Sequence, residues 1–152
     1  MSVTVRIDTR RVELALDALA DSARAAARPA AQAGAQVFVE AVRANVARIG
    51  KATGNLQRSI YQAYSDQSTP GRAVYHVSWN ARKAPHGHLV EFGHMQTRKV
   101  FVGRGGRWYT SKTRLATPRQ VGARPFLRPA FDAWLQVALQ AAQARFAEEV
   151  RA

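Results

Sequence analysis

The sequence contains no cysteine, which excludes disulfide bridges, thiolate nucleophiles and zinc–thiolate sites. It also lacks any uninterrupted apolar run of about 18 residues, the length that a membrane-spanning helix needs. Its first residues, MSVTVRIDTRRVEL, have no apolar core of the kind found in secretory signals, so we expect no such signal. These absences fit a protein made in a reducing cytoplasm and predict that the chain does not span a membrane.

Acidic residues are scarce as well, because 10 of them stand against 23 basic residues and give a formal net charge of +13. Such a balance favours a polyanionic partner, which means nucleic acid, an acidic membrane surface or an acidic protein face. The segment from Phe92 to Phe131 contains no acidic residue at all. Most of its basic residues are arginine, which forms planar bidentate contacts with phosphate and carboxylate.

The apolar residues of the first third recur at helical spacing, which predicts a helix from about Arg10 to Arg48. Asp8 or Thr9 can cap it, and Pro29 either opens a second helix or kinks a single long one. The predicted apolar faces consist of Val12, Leu16, Leu19 and Ala23, and then of Gly34, Val37, Phe38, Ala41, Val42 and Ile49.

Strand signals follow a turn in which Thr53 or Asn55 can cap a short helix. A half-buried strand is predicted where Ala73, Tyr75, Val77 and Trp79 alternate with Val74, His76 and Ser78. Ile60–Ser65 is its predicted hairpin partner. KVFVGRGGRWYT predicts a second hairpin with glycines at its tip. Pro129 can start a last helix whose apolar face would contain Phe131, Leu135, Ala138, Ala142 and Phe146.

This order of elements predicts an α+β fold in a single domain, residues 1–152. The prediction comprises a long N-terminal amphipathic helix, a small antiparallel sheet of hairpins, a C-terminal helix packed on the sheet, and an extended basic hairpin arm. The 47% of apolar residues suffices for a core.

The stretch APHGHLVEFGHM holds three of the four histidines and raises the question of a metal site. His88 and Glu91 share a face if Gly87–Phe92 is helical, but the HExxH order is absent. The alternative is a structural turn with a buried Leu89/Phe92 pair. No serine lies in a G-x-S-x-G context. We predict no metal, no cofactor and no catalytic residue.

Three short stretches occur in order: TGNLQRSI (Thr53–Ile60), HLVEFGH (His88–His94) and ARPFLRPAF (Ala123–Phe131). Together they resemble the neck and tail-completion proteins of long-tailed phages, the HK-type lambdoid tail components, over about Ala30 to Ala142. The residues that carry the resemblance are Thr53, Gly54, Leu56, Ser59, Leu89, Glu91, Phe92, Gly93, Pro125, Phe126, Leu127, Arg128 and Pro129.

The resemblance implies a structural protein of the virion and no enzyme. Such a protein lies at the head–tail junction, is made in the host cytoplasm, and forms part of a ring around the DNA passage, hexameric by resemblance to tail symmetry. Its neighbours would be head-closure or connector proteins and tail-tube or terminator proteins. The resemblance also implies that Glu91 binds backbone amides or a nearby arginine, with Arg128 as a candidate.

One departure from the family is the longer segment between EFGH and ARPFLRPA, where about 30 residues intervene. We interpret residues 96–119 as a basic arm that reaches a neighbouring subunit or ring. An acidic protein face is the favoured partner, and non-specific contact with double-stranded DNA is the other. The predicted contact residues are Arg98, Lys99, Arg104, Arg107, Lys112, Arg114 and Arg119.

Two other functions fit parts of the sequence. A stand-alone nucleic-acid-binding protein would use the basic charge and the interleaved aromatic residues Phe101, Trp108, Tyr109 and Phe126 to stack bases. Hairpin faces and a core contact explain the same aromatic residues. A small basic nuclease or metal hydrolase would use His86, His88, Glu91 and His94.

Overall fold

The computed structural model describes residues 8–50, 54–104 and 108–151. Two long helices and two small antiparallel sheets make a mixed α+β fold, as predicted. Strand β1 pairs with β2, and β3 pairs with β4. The elements are α1 (Arg10–Ile49), α2 (Asn55–Ser59), β1 (Ile60–Tyr64), β2 (Tyr75–Trp79), α3 (Gly87–Phe92), β3 (His94–Val102), β4 (Trp108–Val121) and α4 (Leu127–Arg151).

Helix α1 is continuous, so Pro29 lies inside one long helix and does not open a second one. Its start is capped locally, because the Asp8 carboxylate accepts a hydrogen bond from the Arg10 amide at 3.1 Å. The Thr9 carbonyl accepts the first helical bonds, and the Thr9 hydroxyl donates to Glu13 at 2.8 Å. Both residues predicted to cap the helix therefore contribute.

The chain forms two compact units, and α1, α4, β1 and β2 contribute residues to both. The helical unit comprises the described residues within 1–37, 63–76 and 136–152. The motif unit comprises those within 38–62 and 77–135.

Small residues bring α1 and α4 together in the helical unit. A Cβ on Gly34 would lie 3.1 Å from the carbonyl oxygen of Ala138 and 3.4 Å from the Cβ of Ala142. Ala138 is buried at this contact, and Ala26 and Ala30 are buried in the same unit. Because no large side chain separates the two helices at Gly34, their backbones approach closely there.

The main core belongs to the motif unit and draws on helices and strands alike. Its buried members are Val39, Ala41, Val42, Val46, Leu56, Ile60, Ala84, Phe126 and Ala130. Partly buried Val77 and Trp79 of β2 pack against them, and Trp79 meets Phe126 edge to face with ring centroids 5.7 Å apart. Phe126 is fully buried and is the largest side chain in this core.

One packing prediction is wrong. Phe92 was expected to form a buried pair with Leu89, but 76% of its surface is exposed. Phe131 is 53% exposed and stacks on Phe38. Successive helical residues point about 100° apart. Since Glu91 of the same short helix points inward, Phe92 points away from the core.

We predict that Phe126→Ala lowers the free energy of unfolding by about 3–5 kcal/mol, because it empties the centre of the motif-unit core. Urea unfolding of the full chain measures this. Phe92→Ala removes the same side chain at an exposed position and should cost less than about 0.5 kcal/mol. Equal losses from the two variants would contradict the packing described here.

Candidate functional site: a carboxylate junction and a basic arm

A buried carboxylate joins α3 to the start of α4. Glu91 is 6% exposed, and its Oε2 accepts hydrogen bonds from the amides of Phe126 at 2.7 Å and Leu127 at 3.1 Å. Its Oε1 accepts a longer bond from the Arg128 amide at 3.4 Å. Amides at a helix N-terminus lack partners within the helix, and the helix dipole favours negative charge there. Glu91 therefore caps α4 from another element.

Further hydrogen bonds hold the same point from two sides. The Arg124 amide donates to the carbonyl of Val90 at 2.8 Å. The side-chain amide of Asn45, on α1, donates to the carbonyl of Phe126 at 3.1 Å. Helices α1, α3 and α4 thus meet around Phe126, and we call this set of contacts the Glu91 junction.

The resemblance offered Glu91 two kinds of partner, backbone amides or an arginine. The structure shows the amides, that of Arg128 among them. The side chain of Arg128 is exposed, and no ion pair joins it to Glu91 in the described part of the chain.

Gly93 directs the chain out of α3 into β3. Its φ is 73°, a conformation that side chains rarely adopt. A Cβ there would also lie 2.7 Å from the carbonyl oxygen of Val121 and 2.8 Å from the amide nitrogen of Ala123. The start of β3 is therefore held against the end of β4 in a way that only glycine permits.

The first of the sequence stretches reaches the same core. Leu56 and Ser59 are buried, and the Ser59 hydroxyl donates to the carbonyl of Leu56 at 2.7 Å. Helix α2 is capped by Gly54 without a side-chain hydrogen bond, so the prediction of Asn55 as the cap is wrong. Asn55 is the first helical residue, and Thr53 lies outside the described residues.

All three stretches contribute to one core. Leu56 and Ile60 come from the first stretch, and Val90 from the second. Phe126, Leu127 and Ala130 come from the third. Leu89 is half-buried, whereas Pro125 and Pro129 are exposed. Sequence reasoning missed Asn45, and the only signal for it was a polar side chain on an apolar helix face.

The histidines of the same region do not converge on Glu91. His86 immediately precedes α3 and His88 lies within it, and both are exposed. His94 begins β3. Among residues 8–50, 54–104 and 108–151, no group of three or more histidines and carboxylates is placed to hold a metal ion.

Strands β3 and β4 form the basic arm. Their antiparallel register runs from His94 opposite Val121 to Val102 opposite Trp108, with irregularities on either side of Arg98. Those predicted contact residues that the structure describes are exposed. Arg107 lies outside the described residues. Arg119 donates to the Gln96 side chain at 3.0 Å. The exposed basic residues are Arg98, Lys99, Arg104, Lys112, Arg114 and Arg119.

The arm also exposes apolar side chains towards its tip. Phe101 and Tyr109 stack with ring centroids 5.7 Å apart, yet each remains about half exposed. Val100 and Val102 are exposed on the same strand. These residues cover one another only in part, so the arm has no core of its own.

Comparison with known protein families identifies the family of this chain. The model of the HK97-gp10-like family, described as "Bacteriophage HK97-gp10, putative tail-component", matches residues 10–93, more than half of the chain. The chain belongs to the HK97-gp10-like family. Comparison with curated proteins and with solved structures found no match.

Membership of the HK97-gp10-like family gives the chain a structural, tail-related role in a phage, of a kind that is typically non-enzymatic, and places it in the virion. The matched residues include Glu91, whereas its amide partners and the whole arm lie beyond them. Over the described residues, no helix has the length and apolar character needed to cross a membrane.

We predict that Glu91→Gln destabilises the HK97-gp10-like chain by about 1–3 kcal/mol, because it removes the charge from a buried acceptor of helix N-terminal amides. Urea unfolding measures the loss. Glu148→Gln is the matched control, since Glu148 is exposed and its ion pair is with Arg145, at 3.2 Å. That control should cost less than about 1 kcal/mol. Unchanged stability of Glu91→Gln would show that the junction does not depend on the charge.

We also predict that Gly93→Ala costs about 1–3 kcal/mol, because alanine must adopt positive φ against the backbone of β4. Gly122→Ala is the control next to the same contact, since a Cβ on Gly122 meets nothing within 4 Å. Thermal unfolding of both variants separates the effects. Similar melting temperatures for the two would contradict the close approach at Gly93.

Proposed function

We propose that this HK97-gp10-like protein is a structural component of the head–tail junction, where it completes the neck or tail of a long-tailed phage. The observation that carries the proposal is the Glu91 junction. It joins the part of the chain that matches the family to the ARPFLRPAF stretch, which resembles neck and tail-completion proteins. The Glu91 junction and the close approach at Gly93 thereby fix the base of an exposed arm.

In this proposal the chain forms a closed ring around the DNA passage, with six copies by resemblance to tail symmetry. Large apolar side chains left exposed support assembly, because burying them at a subunit interface removes apolar surface from water. In the motif unit these include Phe92, Phe131 and Trp134. The proposed neighbours are head-closure or connector proteins on one side and tail-tube or terminator proteins on the other.

In this proposal the arm provides the contact that holds the head–tail junction together. It carries basic residues without any acidic one, so complementary charge on an acidic protein face would set register and specificity. Contact with DNA is the weaker alternative, because each phosphate contact inside the passage would add friction during ejection. We therefore assign the arm mainly to protein.

A second candidate function is non-specific nucleic-acid binding. The stacked and exposed pair Phe101–Tyr109, set among basic residues, favours it because bases stack on such surfaces. Salt titration of DNA binding by the isolated chain discriminates between the two functions. A steep loss of affinity with salt from a monomer favours nucleic-acid binding, whereas rings in negative-stain images favour the junction protein.

We predict that replacing Gly103–Arg107 by a short neutral turn leaves the isolated chain folded but impairs the joining of heads to tails. Reversing the charge of Arg104 and Arg107 should impair joining more than neutralising them, because like charges repel at an acidic partner. Infectious yield and electron-microscope counts of unjoined heads and tails measure the effect. Arg82→Glu with Lys83→Glu is the control on another exposed segment. Normal yield from the charge-reversed arm would refute the role of the arm.

A further inference from the structure

Two exposed surfaces of this chain carry opposite charge. One is the arm, residues 96–119, in which every charged residue is basic. The other is the first part of α1, residues 8–21, which we call the α1 tip. It contains four of the chain's 10 acidic residues against two arginines. Every residue from 8 to 19 is exposed. The chain is therefore basic overall but acidic at this one helical segment.

The α1 tip also carries an uncovered apolar stripe. Val12 and Leu16 are each 59% exposed and Leu19 is 52% exposed, at the i, i+4, i+7 spacing of one helix face. The same face continues to Ala26, which is 1% exposed, and to Ala30, which is buried. A face that is buried further along α1 thus loses its cover at the tip.

Carboxylates flank this stripe. Glu13, Asp17 and Asp21 recur every four residues, which places them about 6 Å apart along one side of the helix. Asp21 pairs with Arg24 at 2.8 Å, and Glu13 accepts the Thr9 hydroxyl. Asp17 makes no ion pair with any described residue. The tip therefore offers a partner both apolar contact and negative charge.

The arm has the complementary needs. Arg98 and Arg114 are direct cross-strand partners, and like charges in that arrangement destabilise a ribbon. A two-stranded ribbon is itself marginal without a further surface. Near the turn that joins β3 to β4, Val100 and Val102 are exposed and need apolar cover. A carboxylate between the two guanidinium groups and an apolar helix face beneath the valines would satisfy both requirements.

We propose that the arm of one copy lies along the α1 tip of the neighbouring copy. Val100 and Val102 cover the stripe of Val12, Leu16 and Leu19, and an acidic residue of the tip lies between Arg98 and Arg114. The two surfaces differ, so the contact is heterologous, and repeating it generates a closed ring when the rotation permits. The inference rests on the proposed ring. DNA is a poorer partner for the arm, because an arm bound to DNA would leave the apolar stripe of the α1 tip uncovered.

The absence of native cysteine makes the contact testable by cross-linking. Full-length Leu16→Cys and Val100→Cys are purified separately, mixed, and treated with a short bis-maleimide reagent. We expect a covalent dimer from the mixture and little from either variant alone, because the contact joins unlike surfaces of two copies. Gln140→Cys replaces Leu16→Cys in the control mixture, since Gln140 is exposed on another helix, and should give no dimer.

A charge exchange tests the register within the same assay. Adding Arg98→Glu to the Val100→Cys chain should lower the cross-linked fraction about tenfold or more, since like charges then face each other. Adding Asp17→Arg to the Leu16→Cys chain should restore it. Arg82→Glu in place of Arg98→Glu should change little.

The mass of the untreated wild-type oligomer separates failure of this inference from failure of the proposed ring. A closed oligomer with the cross-link and its charge rescue supports both. A closed oligomer without the cross-link overturns the arm-to-helix contact and leaves the ring. A chain that stays monomeric and does not cross-link overturns the contact and counts against the ring as well.

Discussion

The rest of the structure depends on the hydrogen bonds that the first amides of α4 donate to the carboxylate of Glu91. Burying a charge is costly unless hydrogen bonds compensate it. Here the backbone amides of residues 126–128 provide that compensation, in the field of a helix N-terminus. Because the amide of Phe126 is one of these donors, the same contact fixes the largest side chain of the core.

The Glu91 junction is buried and hydrogen-bonded, whereas the arm that follows it is exposed. Gly93 follows Glu91 within two residues and starts β3 against the end of β4, so the base of the arm is anchored. Further out, the arm is basic, exposed and without a core. A two-stranded ribbon of this kind is marginal by itself, so a partner in the proposed assembly would stabilise its pairing.

Much of the fold follows from the sequence, because periodicity over long segments has a strong physical cause. The sequence pattern predicted α1 and the β1–β2 and β3–β4 hairpins. The family resemblance implied a structural role for Glu91. The sequence pattern failed for Phe92, since a six-residue helix turns too little for its faces to be read. It could not tell that Val12 and Leu16 stay exposed, because a stripe shows which side is apolar and not which chain covers it. The contact of Asn45 with Phe126 joins residues far apart in the chain and left no local pattern.

Amide hydrogen exchange, measured on the isolated chain and on the proposed ring, tests the central claim that a carboxylate junction anchors an arm whose marginal pairing would be stabilised by assembly. The account predicts slow exchange at the amides of Phe126 and Leu127 in both states. It predicts fast exchange across residues 108–121 in the isolated chain and protection of that segment after assembly. Exchange at Phe126 and Leu127 as fast as in the arm of the isolated chain would contradict it.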